Sequence, residues 1–562
     1  MSLAANDQIT PILVRDKRLV WSERANFGVV ETGKLYNERV LPTTTYSVAN
    51  WTFNAQPPSP EIAISREIFM QASFTINFTG LAGANGRLLD PSVFDAPRQF
   101  PINSVIQSLG VTLNNTQISQ NNYQVVHELF HFSTPESDYK GTLSMCPAMP
   151  DYFQLYSDAY TSPGGKGISK DPLASTGQTS QYFETRGGFP FTVNSNPLVA
   201  PGAPTTASVT LTTTEPLILS PFMSTTDDVA ALIGVNTLTI QVLFLPGLER
   251  LWSHSDSPQA GVIQTTSVSL ENAPALLLTF ISPQDSSSIP RSVVYNYSST
   301  TVYQTDGIAP VPGNTEFTMT TQNSQLNYIP RRIYLYLKRS DFEASISTTD
   351  TWASILGVSI TFDNQSGVLS SSGPQQLYNI SRNSGCNLSW SQWSTYTGSI
   401  LCIDVGRTLM LTNQDESPSM AATKQLQIKV QAKNICSTPI TFTMYVVTCA
   451  DGLITIGDNT TIPQNNVLSP IDVVNARAEG SGVQIDFSKS NNFYGGLFKR
   501  VGKAAKGVSK ALSDSKLLST AAMLSGRPDL AAAASLAGYG HVGGALVGGR
   551  RMSKDELRRR MM

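Results

Sequence analysis

Apolar and polar residues alternate with a period of two along most of the chain, which predicts β-strands that bury one face. Ala72, Phe74, Ile76 and Phe78 alternate with Gln71, Ser73, Thr75 and Asn77, and Leu238, Ile240, Val242 and Phe244 with Thr239, Gln241 and Leu243. Val358, Ile360 and Phe362 run into the turn Asp363-Asn364, and Leu426, Ile428, Val430 and Ala432 oppose Gln427, Lys429 and Gln431. Many such strands cut by Pro, Gly and Asn turns predict sandwiches or jelly rolls. Strand density falls at Ser282-Pro-Gln-Asp-Ser-Ser-Ser, a boundary between two β domains. A polar stretch from Thr134 to Thr206, containing Ser162-Pro-Gly-Gly and Ala200-Pro-Gly-Ala-Pro, reads as one long loop in the first. Loops of that length usually carry interaction or insertion functions. After about Val474 the chain turns to Gly, Ala, Lys and Arg. The predicted organisation is an N-terminal arm (1–33), a first β domain (34–286, with loop 134–206), a second (287–475) and a tail (476–562).

Composition narrows the class. In 562 residues, 40% are apolar and only 14% charged, which excludes a coiled coil, an extended helical bundle and an acidic disordered protein. The net charge of −2 hides an asymmetry. From Lys489 to Met562 there are fourteen Lys and Arg against four Asp and Glu, so an acidic body carries a basic tail. Such a tail suits nucleic acid, an anionic membrane or the body of a neighbour. Cys146, Cys386, Cys402, Cys436 and Cys449 form no Cys-x-x-Cys pair, which argues for a reducing compartment and against a disulfide framework. The start, Met1-Ser-Leu-Ala-Ala-Asn-Asp, has no basic and then apolar region, so no secretory leader is expected. No apolar run approaches the length of a membrane span. The Asn-x-Ser/Thr triplets at Asn77, Asn296 and Asn387 are what such a composition produces by chance.

One enzyme-like motif stands out. His127-Glu128-Leu129-Phe130-His131 is a literal H-E-x-x-H, which on a helix sets two imidazoles one turn apart for zinc, with the Glu as general base. Tyr123, Val126 and Phe130 recur at helical spacing. The longer zinc-protease form wants Gly and His where Thr134 and Ser137 stand, and Pro135 ends the helix. A third ligand would have to be Glu136 or the distant His254. The plainer reading is a short amphipathic helix after a strand, with its histidines on a polar or interface side. No Gly-x-Ser-x-Gly elbow or Walker loop is present, so no enzyme activity and no cofactor is expected.

In the tail, Lys499, Lys503, Lys506 and Lys510 fall on one helical stripe, with Leu497, Val501, Ala504, Val508 and Leu512 opposite. That predicts a cationic amphipathic helix for an anionic bilayer or phosphates, or one that docks under a larger assembly. The terminal cluster Arg550, Arg551, Arg558, Arg559 and Arg560 suits polyanions through sequence-independent charge.

An ordered series of segments carries a resemblance. It begins with Phe100-Pro-Ile-Asn-Ser-Val-Ile-Gln-Ser-Leu-Gly-Val-Thr-Leu-Asn-Asn-Thr, then Leu276-Leu-Leu-Thr-Phe-Ile-Ser-Pro-Gln-Asp and Ile289-Pro-Arg-Ser-Val-Val-Tyr-Asn-Tyr. Leu326-Asn-Tyr-Ile-Pro-Arg-Arg-Ile-Tyr-Leu-Tyr-Leu-Lys-Arg, Thr348-Thr-Asp-Thr-Trp and Val358-Ser-Ile-Thr-Phe-Asp-Asn-Gln-Ser-Gly-Val-Leu follow. Gln375-Gln-Leu-Tyr, Trp390-Ser-Gln-Trp and Gly398-Ser-Ile-Leu-Cys-Ile-Asp-Val-Gly complete it. From Phe94 to Thr448 this series resembles the double jelly-roll major capsid proteins of virophages, polinton-like viruses and adintoviruses.

The resemblance implies an all-β fold of two tandem eight-stranded jelly rolls, a short helix after a strand in the first, and a basic helical or flexible C-terminal tail. It also implies a homotrimer of pseudo-hexameric outline in an icosahedral virion capsid, made in the host cytoplasm or nucleus. Expected partners are neighbouring capsomers and minor or penton capsid proteins. Through the tail they extend to a viral protease, genomic DNA or an internal membrane. Leu536-Ala-Gly-Tyr-Gly540, Leu546-Val-Gly-Gly-Arg550 and Phe493-Tyr-Gly-Gly-Leu497 resemble substrates of adenovirus-type cysteine proteases. The candidate maturation-cleavage residues are therefore Gly496, Leu497, Tyr539, Gly540, Gly549 and Arg550. The alternative from another class is a cell- or glycan-binding β-sandwich spike or fibre protein.

Overall fold

The computed structural model describes most of residues 33–473; the stretches 91–94, 134–144, 148–188, 223–230, 255–261 and 285–291, some shorter ones and everything outside 33–473 lie beyond the described residues. The first half holds strands β1 (Lys34–Val40), β2 (Asn50–Ala55), β3 (Ala63–Ile64), β4 (Phe69–Leu81), β5 (Asp95–Pro97), β6 (Ile106–Leu113) and β7 (Thr116–Gln120). It continues with β8 (Thr192–Ser195), β9 (Pro204–Pro216), β10 (Leu238–Phe244), β11 (Trp252–His254), β12 (Ile263–Leu270) and β13 (Ala275–Ser282). The second half holds β14 (Ser292–Asp306), β15 (Glu316–Thr320), β16 (Ser324–Leu326), β17 (Arg332–Arg339), β18 (Ser354–Phe362) and β19 (Gln365–Val368). It closes with β20 (Ile400–Asp404), β21 (Lys424–Lys433), β22 (Phe442–Gly457) and β23 (Thr460–Asn465). Three α-helices matter to the argument: α1 (Pro101–Val105), α2 (Asn122–Ser133) and α3 (Pro374–Asn383).

The same topology appears twice. In the first half one sheet runs β1-β13-β4-β9-β8 and the facing sheet β2-β10-β6-β7. In the second half the sheets run β14-β22-β17-β20 and β15-β21-β18-β19. In each half an antiparallel sheet, with the opening strand beside a closing one (β1 on β13, β14 on β22), faces a second antiparallel sheet of four; the first half adds β8 at an edge. This is the jelly roll, and the chain is a double jelly roll. The period-two stretches sit where expected: Met70, Ala72, Phe74, Ile76 and Phe78 of β4 face one core, and Leu426, Ile428, Val430 and Ala432 of β21 the other.

Two departures from the sequence reading have physical reasons. The stretch 134–206 is not one loop, because Thr192–Ser195 pairs with β9 as an edge strand and β9 itself opens at Pro204. Thr- and Ser-rich runs alternate weakly, so hydropathy does not flag them. Strand β17 breaks the half-buried pattern, with Arg332 to Lys338 buried on both faces. Ile333, Leu335 and Leu337 alternate with Tyr334, Tyr336 and Lys338 on the opposite face. That second face is covered by an element from the other roll.

Candidate functional site: the seam between the rolls

The covering element is α2, which carries the H-E-x-x-H sequence. It leaves the first roll after edge strand β7 and lays Val125, Val126, Leu129 and Phe132 into the core of the second. Phe132 meets Tyr334 edge-on at 5.4 Å between ring centroids. The Tyr336 hydroxyl donates to the Gln124 carbonyl. At the helix C-terminus the Phe132 carbonyl accepts from the Asn387 backbone N–H at 2.8 Å, and the Ser133 carbonyl accepts from the Asn387 side-chain amide. These bonds satisfy carbonyls that a helix end leaves orphaned.

Glu128 is buried, and its Oε1 accepts from Lys338 Nζ at 3.1 Å. Lys338 Nζ also reaches the Tyr123 carbonyl at 3.4 Å and lies 5.1 Å from the Tyr445 ring centroid. Burial, with Asp341 and Glu128 nearby, pushes the Tyr445 phenol well above its usual range. A zinc-protease base must meet water and substrate; this carboxylate is sealed and bonded to a lysine of the other roll. The expected helix is present, but its glutamate is a fastening. The side chains of His127 and His131 lie outside the described residues, as does Glu136. His254 is committed elsewhere. Among the described residues no cluster of three His, Cys, Asp or Glu could hold a metal.

A second fastening lies around His254. Its Nδ1 is 2.9 Å from Asp95 Oδ1, which also accepts from Trp252 Nε1 at 3.0 Å, all of it buried. This cluster joins the second roll through Arg98, whose guanidinium donates to the Ser345 and Thr348 carbonyls at 2.7 and 2.5 Å. The His254 backbone N–H donates to the Ile346 carbonyl at 2.9 Å.

The third is a reciprocal exchange. Tyr295, Tyr297, Ile454 and Ile456 belong to the second roll's sheet yet pack in the first roll's core with Ile64, Leu232 and Val235. The Tyr295 hydroxyl donates to the Ala231 carbonyl and accepts from the Ile233 N–H, both at 2.9 Å. Arg66 donates to the Pro221 carbonyl at 2.5 Å and lies over the Tyr295 ring at 5.4 Å. Asn114, in the β6–β7 turn, donates to Thr461 Oγ1 at 3.2 Å, and the Thr116 hydroxyl to the Thr461 carbonyl at 2.5 Å. The seam thus interlocks in both directions, and the two sandwiches form one body.

Besides the H-E-x-x-H and His254, which was weighed only as a metal ligand, none of the seam residues was singled out by sequence reasoning. One signal was present: a lysine at the end of the apolar run Ile333-Tyr-Leu-Tyr-Leu-Lys338 needs a partner if the strand is buried. The residues singled out in the tail lie outside the described residues. These are Lys499, Lys503, Lys506 and Lys510, Gly496, Leu497, Tyr539, Gly540, Gly549 and Arg550, and Arg551, Arg558, Arg559 and Arg560.

The family model for the Sputnik virophage major capsid protein first domain matches residues 7–281, and that for the major capsid protein V20 C-terminal domain matches 297–397. The chain belongs to the virophage major capsid protein family. The putative capsid protein V20 of Sputnik virophage is 28% identical over 98% of each chain. A chain of the Sputnik virophage cryo-EM structure superposes with a TM-score of 0.76 at 27% identity, covering 86% of this chain and 98% of that one. The mavirus major capsid protein crystal structure, 14% identical, superposes with a TM-score of 0.65 over 84% of this chain and 98% of that one, and shares the fold. This capsid protein is therefore a structural component of the virion that associates with copies of itself, and it is not an enzyme. The match sets aside the spike or fibre alternative.

Proposed function

We propose that this capsid protein assembles as homotrimers of pseudo-hexameric outline that tile an icosahedral shell, with the first roll at 34–286, the second at 287–475 and the basic tail facing inward. The observation that carries the reading is the interlocked seam: two similar sandwiches fastened side by side make one third of a six-lobed ring. Obligate assemblies of this kind close under point symmetry. Neighbouring capsomers and minor or penton proteins complete the shell. The tail's lysine stripe and terminal arginines suit genomic DNA or an internal membrane, and a viral cysteine protease cuts within the tail, after Gly496, Gly540 or Gly549.

Light scattering with negative-stain imaging of the full-length protein tests the assembly: hexagon-outlined trimers or closed shells are expected, and a stable monomer would overturn it. Intact-mass analysis of purified particles tests the processing, with a shortened subunit expected and only full-length chain counting against it.

A further inference from the structure

The internal repeat says where one copy meets the next. In the chain's own seam the second roll offers the first two surfaces. One is the outer face of its β14-β22-β17-β20 sheet, where α2 lies on Tyr334, Tyr336 and Lys338. The other is the end of the β14/β22 ribbon, where residues 292–298 pair with 451–457 beyond the reach of β17, and Tyr295 and Ile454 are buried against the first roll.

The first roll repeats both surfaces, and among the described residues they are half-exposed to exposed apart from Ser73, which is buried and donates to Glu271 at 3.0 Å. Its ribbon is β1 on β13, where residues 34–38 pair with 278–282 beyond the short stretch that β4 pairs, with β3 on the other edge of β13 at 280–281. Six of the seven residues of β1 are exposed, Leu35 at 63% and Tyr36 at 42%. Its outer face is the side of β4 and β9 that turns away from the core. There Gln71 bonds Thr214 at 3.2 Å, Ser73 bonds Thr212 at 2.9 Å and Thr75 bonds Thr210 at 3.2 Å, a ladder of short polar groups.

The second roll in turn repeats the element that covers. Helix α3 follows edge strand β19 and precedes β20, as α2 follows edge strand β7 and precedes β9. Its inner side is anchored by buried Leu377 and by Ser381, whose hydroxyl accepts from the Cys402 N–H at 3.2 Å. Its outer side, Gln375, Gln376, Asn379, Arg382 and Asn383, is exposed, polar and matched in chemistry to a Thr/Ser/Gln ladder. Just beyond lies Trp390, 38% exposed and held rigid by Trp393 stacked at 5.9 Å and Tyr378 edge-on at 5.4 Å. Trp and Arg are the residue types that most often anchor an interface.

We propose that α3 and Trp390 of one copy dock on the outer β4/β9 face of the first roll of a second copy, and that the β1/β13 ribbon of that second copy is covered in the same contact. The inference rests on the trimer reading above and gives it its interface: the seam within the chain, repeated between chains, closes after three copies. The α2 contact is apolar with one buried ion pair, whereas this one is amide against hydroxyl, as suits surfaces that are solvated until subunits meet.

The test uses full-length protein in isolated trimers, before shells form. With p-benzoylphenylalanine in place of Asn379, irradiation is expected to give a species of two-chain mass on a denaturing gel. Its cross-linked peptide should map to Gln71–Asn77 or Thr206–Thr214. Separately, Trp390→Ala and Arg382→Glu are expected to raise the concentration at which trimers half-dissociate by at least tenfold, with the circular dichroism of the folded chain unchanged. Trimers of the photo-reactive chain whose cross-links fall elsewhere, with Trp390→Ala and Arg382→Glu as trimeric as wild type, would overturn the interface and leave the trimer standing. Wild-type protein that stays monomeric at all concentrations would remove both.

Discussion

Glu128 of the first roll and Lys338 of the second, 210 residues apart, form an ion pair of 3.1 Å with both side chains sealed from water. Removing one partner leaves an uncompensated charge in a low-dielectric seam, so Lys338→Met should cost about 3–5 kcal/mol, whereas a double Glu128→Leu, Lys338→Met change should recover most of it. Urea unfolding midpoints of the two variants and wild type check this; equal midpoints for Lys338→Met and wild type would show the pair to be inert.

Glu215 supplies a pH dependence. It is fully buried beneath α1 and accepts from the Ile102 and Asn103 N–H groups at 2.7 and 2.9 Å, and from the Asn103 side-chain amide at 3.0 Å. Burial outweighs those bonds and pushes its carboxyl up to about 7, from 4.5. Between these values the folded chain holds a proton that the unfolded chain has lost. Stability from this group is therefore full below pH 4.5 and falls as pH rises towards 7, by roughly 3 kcal/mol in all. Melting temperatures at pH 5 and pH 8 are expected to differ more for wild type than for Glu215→Gln; parallel slopes would refute the assignment.

Asn114 combines backbone and side-chain roles. It sits in the turn at φ +53°, its Oδ1 accepts from the Asn236 N–H at 2.8 Å, and its amide reaches Gly234 and Thr461. Asn tolerates the left-handed region better than Ala and here satisfies buried backbone groups. Asn114→Ala should lower stability by about 2–3 kcal/mol, read as a drop in melting temperature, with Asn114→Gly losing less because it keeps the turn.

Gly398 stands at φ +101°, and a Cβ there would lie 2.0 Å from the Trp352 carbonyl oxygen. Neither the angle nor the clash can be relieved without moving β18 or the Trp393 segment. Gly398→Ala should destabilise by about 2–4 kcal/mol. Soluble yield and melting temperature report it, and an unchanged melting temperature would mean that the loop yields freely.

The period-two runs in β4, β10, β18 and β21 were legible because a strand's burial is written locally: every second side chain faces the same core, whatever lies across it. The double jelly roll and the capsid role were legible by another route, the resemblance of the ordered segments to a known family. The basic tail, too, is a matter of composition. What the sequence could not disclose was which partner each buried polar group would find. H-E-x-x-H has the spacing of a metal site, and only the approach of β17 from the second roll turns Glu128 into a fastening. Lys338 likewise reads as a strand end until α2 covers it. Such pairings depend on where two domains meet, and that is decided by packing between residues hundreds of positions apart, for which neither partner's local pattern carries a signal.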